Sequence, residues 1–192
     1  MIDRMNRRRL FALSVAAPLL SLAVTTPALA QDDFNLKPIV KAVREGDEEK
    51  VRAALFKGES PNQSDTNGQP LIMVAAIAGQ IAVVETLLKG GAVADAIDRE
   101  SYTTLIRAAE RGDVDVAEAL FRRNAKPNAQ TRQGETALMV ASRLGYADFV
   151  RLLLEKKADP NVADFTGRTA MIYARQAGRG SIEVMLRKAG GR

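Results

Sequence analysis

The sequence holds no cysteine, no histidine and no tryptophan, and aromatic residues make up only 5% of it. Without cysteine there are no disulfides, thiolate nucleophiles, iron–sulfur clusters or thiolate zinc sites. Without histidine there is no Ser-His-Asp chemistry, no imidazole base and no imidazole ligation of zinc, copper or haem. Carboxylate or lysine chemistry, hard cations held by carboxylates, and binding by surface alone remain. Charge of one sign is also scarce. The 28 Lys plus Arg against 23 Asp plus Glu give a net +5, and part of that excess sits in the first thirty residues. What is present, over 192 residues with 46% hydrophobic content, suits one globular domain or two small ones.

Residues 1–30 are expected to be a secretory signal peptide. Arg4, Arg7, Arg8 and Arg9 form a positive start, and Leu10 to Val24 is mostly apolar. Pro27-Ala28-Leu29-Ala30 then offers the small-x-small pattern of a cleavage site, leaving Gln31 as the mature N-terminus. A membrane anchor is the alternative, but such a stretch rises about 22 Å as a helix against a hydrocarbon core of about 30 Å. Arg8-Arg9-Leu10-Phe11-Ala12 resembles the twin-arginine export motif without its Ser or Thr before the pair. Both that route and the general secretory one stay open, and either leads to a bacterial periplasm. Loss of the segment leaves a net charge of about +2, which argues against a nucleic-acid binder and its clustered Lys and Arg. No stable membrane insertion is expected after cleavage.

The rest of the chain is ruled at thirty-three residues. Ala42, Ala75, Ala108, Ala141 and Ala174 share that spacing, and Gly46, Gly79, Gly112, Gly145 and Gly178 follow them by four. At about 7% glycine usage, five in register arise by chance roughly once in a million. Ile39, Ile72, Leu105, Leu138 and Met171 precede the alanines by three, which puts both on one helix face. Gly58, Gly91, Asn124, Lys157 and Gly190 form a further register. Asn124 adopts positive φ readily, whereas Lys157 does so at a cost.

Each unit reads as two short helices and a turn. In the clearest copy a first helix spans Thr136 to Leu144 and stops at Gly145. A second runs from about Ala147 to Lys156, with Phe149, Val150, Leu153 and Leu154 on its apolar stripe. Ala158-Asp159-Pro160-Asn161 turns the chain out and Asp164-Phe165-Thr166-Gly167 turns it back.

Gly134-Glu-Thr136-Ala-Leu138-Met-Val-Ala141 and Gly167-Arg-Thr169-Ala-Met171-Ile-Tyr-Ala174 share the pattern Gly-x-Thr-x-Leu-x-x-Ala with a conservative change at Met171. Leu87-Leu88-Lys89-Gly90-Gly91-Ala92 supplies a Leu-Leu-x-x-Gly-Ala ending. On these motifs the sequence resembles ankyrin repeats, over about five copies from Leu36 to Gly190. The resemblance implies an all-α solenoid with hairpin-like fingers. Residues 31–35 are expected to be a short N-terminal segment before a repeat domain at 36–192, with repeats at about 36–66, 67–99, 100–132, 133–165 and 166–192. The family's Thr-Pro-Leu-His histidine is replaced by Val40, Met73, Ile106, Met139 and Ile172, an expected apolar ladder. Lys37 and Pro70 replace its threonine in the first two copies, and Ser101 replaces the finger glycine in the third.

With the repeats spanning nearly all of residues 36–192, no second, catalytic domain is expected. By resemblance, the concave surface of finger tips and first-helix ends binds another protein. In this chain it brings together Arg99, Tyr102, Arg111, Arg132, Arg143, Phe165 and Arg168, of the residue types that dominate interface energetics. Tyr102 has a second reading, as cover for a finger lacking its glycine. Ile77 and Leu144 add two apolar residues to the groove. Asp113 with Asp115, and the acidic Glu45 to Glu49 stretch, read as helix caps rather than metal ligands. Tyr173 reads as partly buried, and Gly178-Arg179-Gly180 lacks the lysine of a phosphate loop.

No cofactor, metal or active site is expected. The resemblance implies a monomeric binding module for an unidentified periplasmic or envelope protein, in the manner of exported bacterial ankyrin proteins that protect or assist an envelope enzyme. Inhibition of a partner fits the same surface. A small-ligand protein, a carboxylate-based enzyme and a structural envelope spacer are the other readings.

Overall fold

The thirty-three-residue registers become backbone geometry. Gly46, Gly79, Gly112, Gly145 and Gly178 all have φ between 67° and 92°, so each first helix ends in the left-handed turn that a side chain resists. The computed structural model describes residues 36–192, and the signal-peptide expectation lies outside the described residues.

Among the described residues ten helices follow in five pairs. The inner helices are α1 (Pro38–Glu45), α3 (Leu71–Ile77), α5 (Thr104–Arg111), α7 (Ala137–Leu144) and α9 (Ala170–Gln176). The outer helices are α2 (Glu48–Phe56), α4 (Ile81–Lys89), α6 (Val114–Phe121), α8 (Ala147–Glu155) and α10 (Gly180–Lys188). Each inner helix packs on its own outer helix and on the inner helices before and after it, and the outer helices pack in the same sequence. Stacking of this kind needs small residues where inner helices meet. The five ruler alanines fill that place and are 0–1% exposed.

The ladder that replaces histidine is apolar and buried at Val40, Met73, Ile106 and Met139, and half-buried at Ile172 in the last copy. Burial of such side chains contributes roughly 1.5–3 kcal/mol each. Phe149, Val150 and Leu153 of α8 point inward. Thr103 and Thr136 cap α5 and α7 by accepting the Ile106 and Met139 amide hydrogens at 3.2 and 3.3 Å. Lys37 and Pro70, standing where threonine is absent, make no side-chain cap. Asp47 and Asp113 cap α2 and α6 through the Lys50 and Val116 amides, which accounts for those acidic runs as helix starts.

Between these helix pairs the described residues make four fingers, each closed by one antiparallel bridge: Ser64 with Pro70, Ile97 with Thr103, Gln130 with Thr136, and Ala163 with Thr169. Before each finger, and after the last outer helix, the second register takes positive φ. Asn124 at 60° and Lys157 at 65° adopt the conformation that Gly58, Gly91 and Gly190 adopt.

Candidate functional site

Each finger is shaped by the side chain just inside its bridge. The Asp65 Oδ1 accepts the Asn67 and Gln69 amides at 2.9 Å, and the Asp98 Oδ1 accepts those of Glu100 and Tyr102 at 2.9 Å. Thr131 does the same for Gln133 and Glu135 at 3.2 Å, and Asp164 for Thr166 and Arg168 at 2.9 Å. A short acceptor here satisfies two tip amides at once and substitutes for a longer hairpin ladder. The third finger runs directly beside the fourth, where the Phe165 amide donates to the Gln133 carbonyl at 3.1 Å. In the second finger Ser101 takes φ 65° where glycine stands elsewhere.

The inner helices then reach back to the fingers. In the first copy Arg44 donates to the Thr66 hydroxyl at 2.9 Å and lies 3.6 Å from Asp65. In the third, Arg107 donates to Asp98 at 2.8 Å and pairs with Glu110 at 3.1 Å, while its guanidinium covers the Tyr102 ring at 3.8 Å. Burial raises the Tyr102 phenol above its ordinary value, and the Glu135 charge adds to this.

The densest arrangement lies in the last two copies. The buried Tyr173 hydroxyl donates to Asp164 at 2.7 Å and lies 3.2 Å from Glu135. Arg168 pairs with Asp164 at 3.1 Å and sits over the Tyr173 ring at 4.7 Å. Arg143 pairs with Glu135 at 3.0 Å and approaches the same ring at 5.5 Å. Burial works to raise the Asp164 carboxyl, but hydrogen bonds from Thr166, the Arg168 amide and Tyr173 hold it well below the usual carboxylate range. Burial and the bond to Asp164 push the Tyr173 phenol well above its ordinary value. The tyrosine stays protonated and donates, and the aspartate stays charged and accepts.

Other residues of the predicted set have no such partner. Among the described residues, Arg99, Arg111 and Arg132 make no ion pair. Arg99 lies across the first finger, so that a Cβ on Gly68 would come 2.6 Å from its Nε. Arg111 crosses Gly79 in the same way, at 2.9 Å. A Cβ on Gly134 would come 2.9 Å from the Phe165 ring, and Phe165 is nevertheless 75% exposed. Ile77 and Leu144 at the inner-helix ends are also exposed. The described residues contain no cluster of acids able to hold a metal ion.

Two family models match the chain, ankyrin repeats (3 copies) over residues 39–131 and ankyrin repeats (many copies) over residues 122–174. The chain belongs to the ankyrin-repeat family. No curated protein matches it. Ankyrin repeats are in general protein–protein interaction modules and are typically non-catalytic.

Within this ankyrin stack, the seven residues singled out from the sequence divide by their surroundings. Arg143 and Arg168 belong to the Tyr173 network, and Tyr102 lies beneath Arg107. The side chains of Arg99, Arg111, Arg132 and Phe165 are exposed and have no polar partner among the described residues. Sequence reasoning missed Arg107 and the Glu135–Tyr173–Asp164 chain of contacts. A signal existed: Asp98 and Asp164 occupy one register, and Arg107 and Tyr173 each follow nine residues later.

Proposed function

We propose that this ankyrin chain is a non-catalytic binding module of the bacterial periplasm, holding one protein partner across its finger tips and inner-helix ends. The observation that carries the reading is the row of outward arginines, Arg99, Arg111 and Arg132, continued by the exposed Phe165. Such side chains lose little on desolvation relative to what a planar carboxylate or a packed apolar group returns. Their settings over Gly68, Gly79 and Gly134 limit how far three of them can wander, which lowers the ordering cost on binding. The N-terminal thirty residues serve as the export signal, residues 36–192 form the monomeric repeat domain, and the bound partner is an envelope enzyme that is protected, assisted or inhibited.

The test is co-purification from the native host, using the full-length gene with a C-terminal affinity tag. One dominant periplasmic protein should be recovered, and lost when Arg99, Tyr102, Arg132 and Phe165 are replaced by alanine with helical content unchanged. The same proteins recovered with that variant would place the surface elsewhere. N-terminal sequencing of the recovered chain should begin at Gln31, and an intact Met1 would overturn the cleavage.

A further inference from the structure

The finger-tip row has a chemistry and a spacing that define what it can hold. Thr66, Arg99, Arg132 and Phe165 occupy one position in four successive fingers. Arg99 and Arg132 are exposed, and neither has an ion pair among the described residues. The acids nearest to the row by chain position are already committed, Asp98 to Arg107 and Asp164 to Tyr173 and Arg168. Glu100, beside Arg99, is the exception and makes no ion pair among the described residues.

The third and fourth fingers are joined edge to edge by the Phe165–Gln133 bond. Two strands per finger at about 4.8 Å each give a finger repeat of about 10 Å, in keeping with the 8–10 Å between packed helices. A β-strand cannot match this row, because residues three apart face opposite sides. A polyproline II segment can. It advances about 9.3 Å per three residues and returns every third side chain to the same face.

We infer, resting on the concave-surface reading above, that the finger-tip row binds an acidic segment in polyproline II conformation. Two carboxylates three residues apart sit on Arg99 and Arg132, and an apolar residue three further along packs on Phe165. Glu100 opposes any such segment by like-charge repulsion and so sets an upper limit on its affinity.

The protein, expressed from its full-length gene, is titrated against fluorescein-labelled synthetic peptides and followed by anisotropy at low salt. One peptide places two glutamates and a phenylalanine at every third position among prolines. A second has the same composition with the glutamates adjacent, and both are made in both chain directions. The spaced peptide should bind about tenfold more tightly than the permuted one, and the preference should vanish in the R99Q/R132Q variant. Glu100→Gln should tighten the spaced peptide about twofold to threefold, an effect of opposite sign that damage to the fold does not produce.

Equal binding of the two peptides, or a preference that survives in R99Q/R132Q, overturns the inference. So does a single-stranded oligonucleotide that binds as tightly as the spaced peptide, since the row would then be a general anion surface. Binding of neither peptide overturns it as well. In that case, partner capture lost in the four-residue alanine variant leaves the broader binding-module reading standing, and capture unaffected by that variant removes both this inference and the finger-tip placement of the partner.

Discussion

Arg143 and Arg168, in the C-terminal copies, are held by Glu135 and Asp164 around the Tyr173 ring. Arg99 and Arg132, at the second and third finger tips, have no ion pair among the described residues. The four side chains are one residue type on one side of one stack. What separates them is whether a carboxylate falls within reach of the guanidinium. Where it does, the arginine joins the fold and is oriented by it. Where it does not, a hydrated cation faces solvent and is available to something else. Residue type alone therefore does not distinguish an internal tie from a contact surface.

The strongest way to break this contrast is to remove the stack that carries both groups. Ala108→Asp places an unpaired charge where the ruler alanine is 0% exposed, and should cost about 3–5 kcal/mol in urea unfolding. Tyr173→Phe acts on one side alone. It removes the donor that Asp164 and Glu135 share, and should cost about 1.5–3 kcal/mol by the same measurement.

A pH series sharpens the same side. The Asp164 carboxyl is depressed in the folded protein, so its contribution is present above the unfolded value of about 3.9 and is lost as pH falls toward the folded one. The melting temperature should drop more steeply below about pH 4 in the native protein than in Asp164→Asn. A shape unchanged by that substitution would mean that Asp164 is not the group responsible.

Lys157→Gly lies outside both groups and should stabilise by about 1 kcal/mol, because the lysine holds φ 65°. Smallest of all, Arg99→Ala with Arg132→Ala should move the melting midpoint by less than the equivalent of about 0.5 kcal/mol. A large loss from that pair would show that these arginines are structural after all.

The repeat architecture was legible because packing imposes it on small residues. A helix–helix contact that admits only alanine, and a turn that prefers glycine, leave marks at fixed intervals whatever the surface does. Even the cost at Lys157 could be read this way, since its neighbours in register are glycine or asparagine. The pairing of the arginines could not. Glu135 reaches Arg143 and Tyr173 from a finger eight and thirty-eight residues away in sequence, and only the angle between finger and inner helix brings them together. Phe165 shows the limit in another form. Its exposure matched expectation, but its seat on Gly134 depends on the neighbouring finger, which no single repeat reveals.

Neighbour-only packing also has a mechanical consequence. Each contact between successive inner helices closes a loop of about one repeat, so loop-closure entropy is nearly the same at every step along the stack. Pulled from its two ends, such a chain should peel from a terminus inward, repeat by repeat, like a zipper rather than a bolt. A ligand lying across the second to fourth fingers would bridge three consecutive teeth of that zipper. Its binding energy would then appear as a plateau in the force needed to continue unpeeling.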